Sequence, residues 1–86
     1  MSWIDTLTED KQQQLFALLD SRGAEHLKYA DNDRKFAAWL YMADYGCRRR
    51  AGVSIFDLAD FCWRDQYDDE ADPREALRAA LAAEGF

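Results

Sequence analysis

The stretch Asp72, Pro73, Arg74, Glu75 constrains this chain most, because it is built to begin a helix. Proline has no amide hydrogen and a φ already set near the helical value, so it fits the first helical position. An aspartate before it can accept from the first amides, and a glutamate behind it completes the cap. Leu77, Leu81 and the small alanines after it recur at helical spacing to about Glu84. Similar punctuation occurs upstream. Thr8 followed by Glu9 and Asp10 predicts a first helix that Gly23 ends, with Leu15, Phe16, Leu18 and Leu19 on one side. Trp3, Ile4 and Leu7 precede that cap and read as a staple folded over it. A second helix starts near Asp31, Asn32 or Asp33 and runs to about Tyr45, with Gly46 as its stop. Ser54 begins a third over residues 55–67, with Asp57 in capping-box position. Between the first two, AEHLKYA is either a helical turn or a loop carrying Leu27 and Tyr29 inward.

No alternating Val/Ile/Thr run, Asn-Gly turn or internal repeat competes with this pattern. The expected fold is all-α, a single compact bundle of three to four short helices spanning residues 1–86 as one domain. Hydrophobic residues make up 49% of the chain and aromatics 14%, enough for a core without disulfides or metal. Phe36, Trp39, Leu40, Leu58, Cys62 and Trp63 are the expected core. Tyr41 and Tyr45 form a second apolar strip nearly opposite Phe36 and Trp39, and a helix apolar on two sides belongs at the centre. Cys47 and Cys62 form no CxxC pair and read as free thiols acting as small core residues.

Residues 1–56 hold eight acids and eight bases, while residues 57–86 hold nine acids and three bases. The net charge of −6 therefore sits in the last third. That layout argues against a general nucleic-acid binder, whose affinity comes from cations displacing counterions from phosphates. No apolar run approaches the roughly 18 residues of a membrane span and no leader pattern opens the chain. A soluble, cytoplasmic protein with no membrane partner is expected.

Catalysis needs groups that neighbours can tune, and the chain offers His26, two isolated cysteines and ordinary hydroxyls. No nucleophile and base pair is suggested, so no catalytic or cofactor residue is assigned. His26 reads as a surface or packing histidine. Zinc would want four Cys or His ligands where the chain has three such residues. Calcium fails on spacing. Counting from Asp65, the third position is Tyr67 and the sixth is Glu70 where an EF-hand loop needs glycine. Counting from Asp31, the fifth is Lys35 and the sixth Phe36. Arg48, Arg49 and Arg50 suit a helix end, where cations favour the last carbonyls.

The acid-rich segment DQYDDEAD, residues 65–72, contains the end of the third helix, a linker and the cap Asp72. Asp68, Asp69 and Glu70 have no capping task. Winding the third helix leaves Phe61 among Asp57, Asp60, Arg64 and Asp65, and aromatics among charges are typical of contact surfaces. The expected partner-binding residues are Phe61, Asp57, Asp60, Asp65, Asp68 and Asp69, with the Tyr41 and Tyr45 strip. The partner is an unidentified protein, or a second copy meeting a symmetric patch. The alternative is a nucleic-acid-linked role, either as an acidic mimic or by phosphate contact through Arg48, Arg49 and Arg50.

The block VSIFDLADFCWRDQYDDEADPREALRAAL, residues 53–81, resembles small acidic helical proteins of actinobacterial phages: a capped FDL segment, aromatics with Asp and Tyr, an acidic turn and a Pro-initiated alanine-rich helix. RKFAAWLYMAD is compatible with it. The resemblance implies a phage product that acts on a host protein, for example as its inhibitor. It carries over no catalytic residue.

Overall fold

The computed structural model describes residues 3–58 and 61–85. Among them the fold is all-α, with no strand: α1 Glu9–Arg22, α2 Ala24–Tyr29, α3 Arg34–Ala51, α4 Trp63–Asp68 and α5 Pro73–Ala83. Two 3-10 turns, Trp3–Thr6 and Ile55–Asp57, complete the regular structure. α3 is central and packs against every other helix and both turns.

The first helix starts where its cap predicts, with Thr8 Oγ1 accepting from the Lys11 amide at 3.3 Å. Ahead of it the turn at Trp3 sends Ile4 fully into the core, while Trp3 and Leu7 pack beside it. Gly23 is the C-cap of α1, its amide donating to the Leu19 carbonyl at 2.7 Å, and no side chain fits there: a Cβ would meet the Leu19 side chain and lie 2.8 Å from the Leu19 carbonyl oxygen. The AEHLKYA segment is helical, with Leu27 half-buried and Tyr29 outward. Asp31 (φ 53°) and Asn32 (φ 67°) then reverse the chain in the left-handed region, which Asp and Asn tolerate better than most residues. Asp33 caps α3, accepting from the Phe36 amide at 3.3 Å.

α3 runs past its expected end at Tyr45 to Ala51, and Gly46 lies inside it. A Cβ at Gly46 would stand 3.0 Å from Leu77 Cδ2, so this glycine lets α5 approach rather than stopping the helix. The stop is Gly52, left-handed at φ 74°, whose amide donates to the Arg48 carbonyl at 3.1 Å. Arg48, Arg49 and Arg50 therefore occupy the last turn, where their charge favours the helix dipole.

The Ser54 capping box forms, with Asp57 Oδ2 accepting from the Ser54 amide at 3.3 Å, yet it opens only a 3-10 turn. Leu58 is extended (ψ 160°), and helix resumes at Trp63. The single expected helix over 55–67 is thus two pieces, because a capping box stabilises one turn and Ile55 is drawn into the core on its own. Three placements change as a result. Leu58 is half-buried instead of central, Cys62 is exposed instead of core, and Phe61 leaves the charged helix face. Ala59 and Asp60 lie outside the described residues.

Trp39 Nε1 donates to the Ala71 carbonyl at 2.9 Å, fastening the α4 to α5 linker onto the central helix. Asp72 Oδ1 accepts from the Arg74 amide at 2.8 Å and Pro73 takes the first position of α5, as its sequence predicts. Phe36, Trp39, Trp63 and Tyr67 form a buried ring cluster with centroids 5.0–6.2 Å apart. Leu15, Leu19, Leu40, Leu77 and Leu81 close around it. No helix among the described residues is long and apolar enough to cross a membrane.

Candidate functional site

Asp44 is the most unusual residue of the fold: a carboxylate only 3% exposed in the middle of the central helix. Taking a charge out of water is expensive unless hydrogen bonds replace the lost hydration. Four do. Oδ1 accepts from Ser54 Oγ at 2.9 Å and from the Ile55 amide at 3.0 Å. Oδ2 accepts from His26 Nε2 at 2.9 Å and from Arg48 Nε at 3.2 Å. Burial pushes the carboxyl up, but the bonds from His26, Ile55, Ser54 and Arg48 more than offset it and hold it at about 2.

Local structure explains how these partners converge. Arg48 is one turn along α3 from Asp44. Gly52 turns the chain back so that Ser54 and Ile55 return beside Asp44. Gly23 starts α2 close enough to place His26 against α3. The imidazole is 6% exposed and packs edge-on to Tyr41 at 5.2 Å and tilted against Phe56 at 5.3 Å. Because the Asp44 carboxylate is the acceptor, Nε2 carries its hydrogen toward Asp44. Nδ1 is buried with no hydrogen-bond partner among the described residues.

Serine, histidine and aspartate are thus all present, in an order that does not make a nucleophile. Acyl-transfer chemistry places the histidine between the other two, so that it can take the serine proton. Here the carboxylate lies between them: Ser54 donates to Asp44, and His26 bonds to the opposite oxygen. The trio holds α2, α3 and the 3-10 turn together.

Above it lies a cavity of about 310 Å³ lined by Arg22, His26, Tyr41, Asp44, Tyr45 and Arg48. Tyr41, Asp44, Tyr45 and Arg48 follow one strip of α3 at helical spacing, and Arg22 comes from the last turn of α1. Tyr45 is 51% exposed and carries Arg49 on its ring at 5.7 Å, with Arg49 Nη1 donating to its hydroxyl at 3.2 Å. Tyr29, also 51% exposed, leans on Phe56 at 5.4 Å beside an adjoining apolar hollow formed with Glu25 and Lys28.

The expected contact residues fall into separate settings. Tyr41 and Tyr45 share the cavity. Phe61 is half-buried, edge-on to Trp63 at 4.7 Å, so it packs on the core instead of standing among charges. Asp57 serves the capping box and Asp68 pairs with Arg64 at 3.3 Å. Asp65 and Asp69 are exposed, and Asp60 lies outside the described residues. None of the described acids among them lines the cavity. Of the arginine triplet, Arg48 holds Asp44, Arg49 holds Tyr45, and Arg50 stands beside Arg78 at another hollow. Sequence reading missed Asp44, Ser54 as its partner, and Arg22. The available signal was that Asp44 falls within the Tyr41 and Tyr45 strip, three residues after one and four before Arg48.

Among the described residues no group of three or more His, Cys, Asp or Glu side chains could hold a metal ion. No protein-family model matches the chain, and neither a curated protein nor a solved structure matches it.

Proposed function

We propose that this chain is a protein–protein interaction module that binds through the aromatic and arginine-bearing face of α2 and α3. The observation that carries the reading is the exposure of Tyr29 and Tyr45, each about half open to solvent beside arginine and Phe56 in so small a domain. Tyrosine and arginine are, with tryptophan, the side chains most enriched at binding hot spots, tyrosine because its rigid ring buries much area at little entropic cost and arginine because its planar fork makes several hydrogen bonds at once. Asp44 and its four donors give this face a rigid floor, and a rigid floor lowers the ordering cost of binding. The likeness of residues 53–81 to actinobacterial phage proteins supports a host protein as the partner, with the chain acting as its inhibitor. The exposed acids Asp65, Asp68 and Asp69 then steer the encounter with a basic partner.

Affinity capture from host extract with the wild-type domain and with Tyr29→Ala, Tyr45→Ala and Asp69→Ala tests this reading. One protein recovered by the wild type, retained by Asp69→Ala and lost with either tyrosine substitution supports it. Equal recovery by all four contradicts it. Recovery of nucleic acid that disappears with added salt would favour the nucleic-acid-linked alternative.

A further inference from the structure

We infer that the cavity over Asp44 is a binding site for a carboxylate group carried on a small apolar body. The inference goes beyond the protein-binding reading, since it concerns a free acid as ligand.

A carboxylate has about four acceptor positions, and Asp44 has four donors on its two oxygens. Its capacity to accept is used within the fold. What remains unused is donors. The Arg22 guanidinium has no hydrogen bond or ion pair among the described residues. Arg48 engages Asp44 through Nε, leaving its terminal nitrogens, and its side chain is 60% exposed at the cavity mouth. The Tyr41 hydroxyl has no partner among the described residues, and the Tyr45 hydroxyl accepts from Arg49 and keeps its own hydrogen to give. A cavity whose one carboxylate is spent while its guanidinium and hydroxyl donors are spare favours an acceptor-rich ligand, that is, an oxyanion.

Charge decides which oxyanion. Two guanidinium groups and one carboxylate line the site, which leaves one positive charge among the groups of fixed charge. A carboxylate brings one negative charge and balances it, whereas a phosphate monoester brings about 1.5 to 2 and leaves an excess over a buried aspartate. Shape agrees, since a guanidinium meets a planar carboxylate with two parallel bonds. The tyrosine rings supply apolar walls, and a volume of about 310 Å³ is at the small end for ligand sites, so the ligand body is about the size of one ring. His26 Nδ1 is sealed from solvent and does not take part.

Titration of the isotope-labelled domain followed by amide NMR tests the site, with benzoate as the probe, benzamide as its uncharged analogue and phenyl phosphate as the dianion. Expected are saturable shifts with benzoate at residues 22, 41, 45 and 48, weaker binding of phenyl phosphate and no saturable response to benzamide. Arg22→Gln, an exposed substitution outside the Asp44 cluster, should weaken benzoate about tenfold, the loss of one charge-assisted contact, while Arg50→Gln leaves it unchanged. A short peptide with a free C-terminal carboxylate, compared with its amidated form, distinguishes a chain end from a free acid as the source. Tighter binding of the free-ended peptide than of benzoate would assign the site to a chain terminus and overturn the free-acid assignment. Benzamide binding as well as benzoate, phenyl phosphate binding more tightly, or indifference of benzoate to Arg22→Gln would each overturn the carboxylate assignment.

Discussion

The imidazole of His26 bonds to the carboxylate of Asp44 at 2.9 Å, joining residues 18 apart in the chain with both nearly sealed from solvent. The bond ties α2 to the middle of α3. Because the same carboxylate also receives Ser54 Oγ and the Ile55 amide, one side chain fixes three segments whose own helical tendencies are weak: a six-residue helix, a reversal at Gly52 and a 3-10 turn. Short helices are marginal in isolation, so such tertiary ties decide where they sit.

Removing that carboxylate should therefore be costly. Asp44→Ala leaves His26, Ser54 and the Ile55 amide without their acceptor and should destabilise the domain by roughly 3–5 kcal/mol. Urea denaturation followed by circular dichroism measures it. Asp69→Ala, at an exposed position, should stay within about 0.5 kcal/mol.

Acid should remove the same contribution gradually. The Asp44 carboxyl is held at about 2 in the fold against an ordinary 3.8. Between those values the unfolded chain binds the proton and the folded one does not. The stabilisation is thus complete above about pH 4 and is lost as pH falls toward 2, amounting to roughly 2 kcal/mol. Asp44→Asn cannot titrate, so its denaturation midpoint should fall less steeply than that of the wild type across this window.

Two glycines should respond differently to alanine. Gly23→Ala forces a methyl group against the Leu19 side chain and carbonyl, where the backbone cannot yield, and should destabilise by about 1–3 kcal/mol. At Gly46 the near atom is the flexible end of Leu77, and alanine gains about 1 kcal/mol of helix propensity. Gly46→Ala should be close to neutral. Thermal midpoints of the two variants make the comparison.

The cap of α5 gives a control on the role of charge. Asp72→Ala exposes unpaired amides at the start of the helix and should cost about 0.5–2 kcal/mol, whereas Asp69→Ala removes the same charge with little effect. Equal shifts in the denaturation midpoint would assign the effect to charge instead of capping.

The parts of the fold legible in the sequence are those encoded locally. Thr8 and Asp72 cap their helices as their spacing predicts, Ser54 forms its expected capping box though on a 3-10 turn, Asp33 is the one of the three offered starts that caps α3, and Phe36, Trp39 and Leu40 are buried where helical periodicity puts them. What failed was decided by distant contacts. Gly46 looked like a stop because nothing local reveals that Leu77 packs over it. The helix expected over 55–67 breaks at extended Leu58, after a capping box that holds only the turn burying Ile55, and this break moved Phe61 and Cys62 from their assigned faces. The site was half legible. Tyr41 and Tyr45 stood out as a spare strip, but the purpose of Asp44 depends on His26 and Ser54, which only the tertiary fold brings to it.

The claim that the binding face lies on α2 and α3 is tested most directly by hydrogen–deuterium exchange of the domain with and without its captured protein partner. Added protection is expected over residues 22–29 and 41–48, where Arg22, Tyr29, Tyr41 and Tyr45 surround the Asp44 cluster. Protection confined to residues 61–72, around Phe61 and the acidic linker, with residues 22–29 and 41–48 unchanged, would contradict it.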